Sequence, residues 1–386
     1  MGKSPIQTRP LNQLSLEQAI QLQFKIIDTI PKYFDGKELV QAGDFGHPIF
    51  MYMKNGEPTR GWSHPDFTVK VERILADVFG AKEATLVWGG GSGAFHRTFM
   101  GALNTGDKIV LDDTYPYPTV FPPLRAIGAE LMKVDMDNLS EVRKTITKDV
   151  KAVWITHCNE LKNYYASEVI DAVRSTGHDP LIMVDDNYVA CRVEKIGVQL
   201  GSDISVFSLY KLLGIENIGA ILGAEGKGEK IIEQIRLDDV SSAGLMVQGP
   251  AALRALKQII FAPVMLAIHK QVVDEIVERL NNGEVDGIDY AVTFSAPSLT
   301  PWIKLNEPIA DKVCEVAYKY GSTDRPIGAE SVHELTFRIS HRSFLPPPKI
   351  ADAFPADSCV TLRPYRAGPN TCINALRKCI QEAKKK

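Results

Sequence analysis

The sequence lacks paired cysteines, long apolar runs, internal repeats, low-complexity tracts and an excess of either charge, and each absence removes a class of protein. Its six cysteines, Cys158, Cys191, Cys314, Cys359, Cys372 and Cys379, are scattered without one C-x-x-C pair. Zinc sites and disulfide frameworks need closer, paired spacings, so these residues read as reduced thiols of a cytoplasmic protein. No run of about 18 apolar residues is available to span a bilayer. The opening MGKSPIQTRP has no apolar signal-peptide core, and Ile6 stands where a myristoylation signal requires Ser or Thr. With 44 Lys and Arg against 47 Asp and Glu the net charge is −3, so no global positive field exists to hold nucleic acid or an anionic membrane. The terminal KKK reads as a solvated helix end, its lysines near the negative pole of the helix dipole.

What is present is 386 residues, 45% hydrophobic and 24% charged, enough for one large core or two ordinary ones. Ser15 and Gln18 fit a capping box ahead of an apolar stripe and predict a helix over about 15–30. The Gly/Pro-rich stretch GDFGHPIFMYMKNGEPTRGWSHPDF reads as loop. From about residue 65, seven short apolar runs follow: ATLVW, KIVLDD, AELMKV, AVWITH, LIMVDD, ISVFSL and IGAILG. Most are separated by enough chain for a crossover helix. This predicts an α/β fold: a large domain with a mostly parallel seven-stranded sheet sandwiched by helices. ISVFSL and IGAILG are too close for such a crossover, so one of them should run antiparallel. A long helix over about 249–282 leads into AVTFSAPSLTPWIKL, LTFRIS and SCVTLRPYR, strands of a smaller C-terminal α+β domain. The expected divisions are 1–64 for an N-terminal helix and arm, 65–265 for the large domain and 266–386 for the small one.

Ligands of open α/β sheets sit at the carboxyl ends of the strands, and three such ends stand out. In VWGGGSGAF, glycines 89, 90, 91 and 93 and Ser92 lie where a helix begins, which makes a phosphate cup from unpaired N–H groups and the positive dipole end. The same residues fit the dinucleotide fingerprint as Gly89, Gly91 and Ala94, with Asp112 or Asp113 to hold a ribose. That rival reading, an NAD-dependent oxidoreductase, leaves Lys211 without a task. In LIMVDDNY, Asp185 and Asp186 close an apolar run in tandem. Two adjacent carboxylates cannot both be buried and unpaired; a helix N-cap accounts for one and a buried cationic partner suits the other. In FSLYK, Ser208 precedes Lys211 by three residues. A serine acyl-transfer site would want S-D-N and K-T-G partners, and neither tripeptide occurs.

Together the cup, the aspartate and the serine–lysine pair match what pyridoxal 5'-phosphate (PLP) requires. It needs a lysine for a Schiff base, a carboxylate for the pyridine nitrogen, and N–H and hydroxyl donors for the phosphate.

On these motifs the chain resembles fold-type-I PLP-dependent enzymes, the aspartate aminotransferase superfamily, over about residues 40–380. GGSGA at 90–94 is similar to the phosphate-cup motif SGTGA, with Gly90 in place of its first serine. VDDNY is similar to the D-x-x-Y/F strand end and SLYK to the S-x-x-K of the lysine. The resemblance implies Lys211, Asp185 and Tyr117 as catalytic residues. It implies Gly90, Gly91, Ser92, Tyr117, Asn159, Asp185, Ser208 and Lys211 as the cofactor site, and no metal. Tyr117 comes from PYPTV, which resembles the P-Y-x-T-L segment of the cystathionine and methionine γ-lyase branch, where the tyrosine stacks on the cofactor. In THCNELKN, Asn159 or His157 stands where many aminotransferases place an asparagine. Arg363, or else Arg338 or Arg366, is implied for the substrate carboxylate. The loop with Tyr52, Arg60 and His64 is implied to cross into a neighbouring subunit of a homodimer with shared active sites. The DDNY, FSxxKLxG, FAPVM and GAES signatures resemble YhfS-type aminotransferase-like proteins of bacteria. The activity implied is labilisation of the α-hydrogen of an amino acid or amine. Transamination leads, β/γ-elimination is the alternative, and a non-catalytic relative that binds through the same fold is the third reading.

Overall fold

The computed structural model describes residues 12–37, 53–54, 57–58, 65–113, 118–157, 159, 162–212, 217–241, 246–293, 300–323, 336–342, 348–364 and 366–385. The chain divides into two compact units, Gln13–Val264 and Met265–Lys386, with Met1–Asn12 grouped with the second.

The first unit begins with α1 (Leu16–Thr29), where the Ser15–Gln18 capping box forms as the sequence predicts. α2 (Asp66–Phe79) leads into β1 (Glu83–Trp88), α3 (Gly90–Ala102), β2 (Lys108–Asp112), α4 (Phe121–Ile127), β3 (Glu130–Val134), α5 (Leu139–Thr145) and β4 (Val150–Thr156). Then come α6 (Ala166–Arg174), β5 (Leu181–Asp185), β6 (Ile204–Ser208), β7 (Ile218–Gly223) and α7 (Lys227–Ser241). All seven apolar runs are strands of one sheet, ordered β1-β7-β6-β5-β4-β2-β3. β7 runs antiparallel to β1 and β6 and every other pairing is parallel, as the short ISVFSL–IGAILG connection requires.

Side-chain alternation supplies both faces. Trp154, Met183 and Val206 point into one core with Phe95 and Phe99 of α3. Val153, Ile155 and Val184 point into another with Val169 and Ile170 of α6. By the same alternation Asp185 shares the α3 face with Met183, and Ser208 shares it with Val206.

α8 runs over Gly249–Asn281 with Pro263 inside it, and the division between units falls within it. It is the one helix among the described residues long and apolar enough to cross a bilayer, but 56% of its apolar window is buried inside the protein, as in a core helix. The second unit adds β8 (Ile288–Val292), β9 (Trp302–Leu305), α9 (Ala310–Ala317), β10 (Arg338–His341), α10 (Pro348–Ala353), β11 (Cys359–Arg363) and α11 (Pro369–Ala383). Its four strands form an antiparallel sheet, β8-β9-β11-β10, packed on α9 and α11 through Ile303, Ile339, Leu362, Val313 and Leu376. The run AVTFSAPSLTPWIKL therefore holds two strands, β8 ending at Val292 and β9 starting at Trp302.

Candidate active site

The cup is built by glycines for steric reasons. Gly89 caps α3 at φ 96° and Gly90 follows at φ 59°, a left-handed pair that side chains disfavour. The N–H groups of Gly89 and Gly90 both donate to the Asn217 carbonyl, at 2.9 and 3.0 Å, which ties the turn to the start of β7. A Cβ on Gly90 would fall 2.6 Å from Asn217 Oδ1 and 3.0 Å from Ser208 Oγ, and one on Gly93 would fall 1.8 Å from the Trp88 carbonyl oxygen. A serine at position 90 would sit at a strained positive φ and would require the Asn217 and Ser208 side chains to shift. Gly91 and Ser92 occupy the first turn of α3, whose N–H groups have no acceptor within the helix, and the positive dipole end faces the same way.

Asp185 and Asp186 have opposite fates. Asp185, 4% exposed, accepts from the Asn187 backbone N–H at 3.0 Å and from Asn187 Nδ2 at 2.6 Å. Burial pushes its pKa up to about 6, against the Asn187 hydrogen bonds and the nearby charge of Lys211, while Asp186 pushes it further up. Asp186 is fully buried; His157 Nδ1 lies 2.6 Å from its Oδ1 and the Gly197 N–H donates to both its oxygens, at 3.2 and 3.0 Å. Neither aspartate is a helix N-cap: β5 runs into a turn, not a helix, and the two carboxylates divide between Asn187 and His157.

Ser208 ends β6, and Lys211 rides on the 3₁₀ turn Leu209–Leu212, the tight turn that lets hydroxyl and amine converge. Ser208 is buried and Lys211 half-buried. The Ser208 N–H donates to Asn187 Oδ1 at 2.9 Å, so one asparagine joins the ends of β5 and β6. Lys211 Nζ donates to Tyr188 Oη and lies 4.3 Å from the centre of that ring.

The remaining expected residues fall in several places. Asn159 is half-buried, with its carbonyl 3.3 Å from the Lys162 N–H. Tyr117, Tyr52, Arg60 and His64 lie outside the described residues. Arg338 and Arg363 belong to the second unit, directly opposite one another on β10 and β11 and both buried, whereas Arg366 is exposed. Asn187, Tyr188, Asn217 and Lys162 went unassigned in the sequence reading. Tyr188 was visible in VDDNY, but nothing in one sequence shows that its hydroxyl meets Lys211.

The dinucleotide reading is overturned by the fold. β1 is an edge strand antiparallel to β7, not the parallel first strand that such a fingerprint follows. Asp112 and Asp113 pair with Lys162, at 3.6 and 2.8 Å, which also reaches Asp135 at 2.6 Å.

The groups brought together suit PLP: a primary amine, a buried carboxylate with no ion pair among the described residues, a glycine-lined helix N-terminus and the Ser208 hydroxyl. Fold and site define a fold-type-I PLP-dependent enzyme. Residues 33–249, more than half of the chain, match the family described as Cys/Met metabolism PLP-dependent enzyme, and the chain belongs to it. Residues 274–376 match the YhfS-like C-terminal domain. The chain is 32% identical to the Escherichia coli (strain K12) protein YhfS over 97% of its own length and 99% of the relative's. The crystal structure of the pyridoxal-5'-phosphate dependent protein YhfS from Escherichia coli matches with a TM-score of 0.84 at 30% identity, over 98% of this chain and 100% of that one. An L-methionine gamma-lyase of Fusobacterium nucleatum subsp. nucleatum is 28% identical over 65% of this chain and 62% of the lyase.

Proposed function

We propose that this protein is a PLP-dependent lyase that removes the α-hydrogen of a Cys/Met-type amino acid and expels a substituent from its β- or γ-carbon. The observation that carries the reading is the placement of the Lys211 amine at the same carboxyl edge as the buried Asp185 carboxylate and the Gly90–Ser92 cup. The γ-lyase relatives support elimination. Transamination, favoured on sequence resemblance, draws no support from them.

Lys211 would hold the cofactor covalently, Gly90, Gly91, Ser92 and Ser208 its phosphate, and Asp185 its pyridine nitrogen. When bound, the cofactor supplies an electron sink for the charge left at the substrate α-carbon. Lys211 is assigned as the base that takes the α-proton and delivers it onward. Asp185 would keep its negative charge opposite the cofactor's protonated ring nitrogen, which would offset its desolvation. Because the His157 ring is occupied with Asp186, Asn159 is assigned to the cofactor's phenolic oxygen. Tyr117 is assigned to stack on the cofactor ring. Arg363 is assigned to the substrate carboxylate, a role that suits a bidentate guanidinium, with Arg338 beside it. A homodimer with shared sites completes the reading.

Purified protein should show the visible absorbance of a lysine-linked cofactor, and Lys211→Ala should remove that band, with turnover falling by about 10²–10⁴-fold. Separate assays for ammonia release and for keto-acid exchange on Cys/Met-type amino acids divide lyase from aminotransferase. A protein that stays colourless in PLP sinks the whole reading, and keto-acid exchange without ammonia release sinks the elimination.

A further inference from the structure

Tyr188 has φ 68° and Cys191, three residues on, φ 62°. In a bulky residue this left-handed backbone is an outlier, and it persists only where the surroundings over-determine it. Those surroundings are present on both sides.

Upstream, the Asp186 N–H donates to the Val206 carbonyl at 2.8 Å, and the Asp186 carbonyl receives the N–H groups of Val189 and Ala190, each at 3.1 Å. The Asp186 carboxylate is anchored by His157 and Gly197, and the Asn187 side chain spans Asp185 and Ser208. Downstream, the Arg192 N–H closes the turn on the Val189 carbonyl at 2.8 Å, and the Leu14 N–H donates to the Arg192 carbonyl at 2.7 Å. An isolated bridge between Gln13 and Val193 and a 2.6 Å bond from Gln18 Nε2 to Glu194 extend that clamp into the α1 cap.

What this clamping achieves is the position of one phenol. A relaxed, negative φ at residue 188 would redirect its Cβ and withdraw the hydroxyl from Lys211. In the strained form the hydroxyl receives the Lys211 amine while the ring lies under it.

We propose that Tyr188 is a positioning residue for Lys211. Its phenol receives the amine whenever the lysine is not covalently engaged and fixes the direction from which that amine takes and returns a proton. The strained 186–192 turn is the device that puts it there, and Asp186 serves that turn while Asp185 serves the site. The proposal rests on the reading of Lys211 as the reactive amine. Tyr188 acts through Lys211, so its loss should lower kcat and leave KM for the amino acid nearly unchanged.

The test uses the full-length protein, freed of cofactor, labelled with an amine-reactive reagent across pH, with labelling at Lys211 read by peptide mass spectrometry. Tyr188→Phe keeps the ring and removes only the hydroxyl. It should change the Lys211 labelling rate roughly threefold to tenfold, the range of one hydrogen bond, and displace its pH midpoint, with labelling of other lysines and thermal stability unchanged. Tyr188→Leu, which also removes the ring, should change it further. An unaltered Lys211 profile in both variants overturns the proposal. Should Tyr188→Phe fail to fold, a fluorotyrosine at 188 changes the phenol's acidity without changing its shape. The Lys211 midpoint then moves if the two share a hydrogen bond, and a midpoint that stays put overturns the proposal. Wild-type protein that takes up no PLP would sink the functional reading while leaving this comparison readable.

Discussion

Asp185 is held at the carboxyl edge with its proton affinity raised, its pKa moved from 3.8 to about 6 chiefly by burial. Between those values the folded protein holds a proton that the unfolded chain has released, so folding is favoured by acid at this residue. Stability contributed here declines as pH rises through that window and levels off above it, by roughly 3 kcal/mol for a shift of about two units. Urea unfolding of cofactor-free protein should show that decline, and Asp185→Asn should flatten it. An unchanged slope in the variant would assign the decline to another group. Bound cofactor should flatten the slope as well, because a cation beside the carboxylate favours its charged form. The sequence showed that two adjacent carboxylates needed two separate explanations. It could not show which was which, because the difference lies in alternation across β5 and in a histidine from β4's end, a contact between residues 29 positions apart.

The strands were legible because a sheet covered on both faces needs apolar residues at nearly every position, and β5, β6 and β7 are buried throughout. The capping box was legible because its two partners sit three residues apart. The supports of the site were not, since Asn187, between the ends of β5 and β6, and Asn217, behind the cup, act through hydrogen bonds that no periodicity marks. The cup itself makes a steric prediction. A Cβ on Gly93 would meet backbone at 1.8 Å, and one on Gly219 would fall 2.2 Å from the Gly90 carbonyl oxygen. Gly93→Ala and Gly219→Ala should each destabilise by about 3 kcal/mol or more, beyond ordinary overpacking, since the obstruction is main chain. Gly90→Ser, which restores the motif's more common residue, should weaken cofactor binding, because its side chain meets Asn217 and its φ of 59° is strained for serine. Gly36→Ala, with nothing within 4 Å, is the control and should be near neutral. Thermal unfolding and cofactor titration of the four variants check these outcomes, and a Gly90→Ser protein that binds as tightly as wild type would contradict the steric account.

For the whole molecule, class and cofactor followed from three strand ends, whereas the reaction did not, because elimination and transamination share their first proton transfer and diverge through loops whose spacing carries no pattern. The similarity to L-methionine gamma-lyases is the support on which the proposed elimination draws. Within the molecule, the proposed cofactor site draws its described residues from Gln13–Val264 alone, and this locates the stabilisation that binding should bring. A ligand present at about a hundredfold its Kd stabilises the folded state by about 2.7 kcal/mol. That gain should reach the amide hydrogens whose opening disrupts the site: the first turn of α3, the turn after β5 and the 3₁₀ turn after β6. Hydrogen exchange with and without PLP should therefore slow in 89–93, 185–188 and 208–212, with the antiparallel sheet of Met265–Lys386 changing least. Lys211→Ala should reduce the effect without abolishing it, because the cup and Asp185 still provide non-covalent contacts. Protection that appears only in the second unit, or none in the three turns, would mean that the cofactor binds somewhere other than the carboxyl edge on which these residues converge.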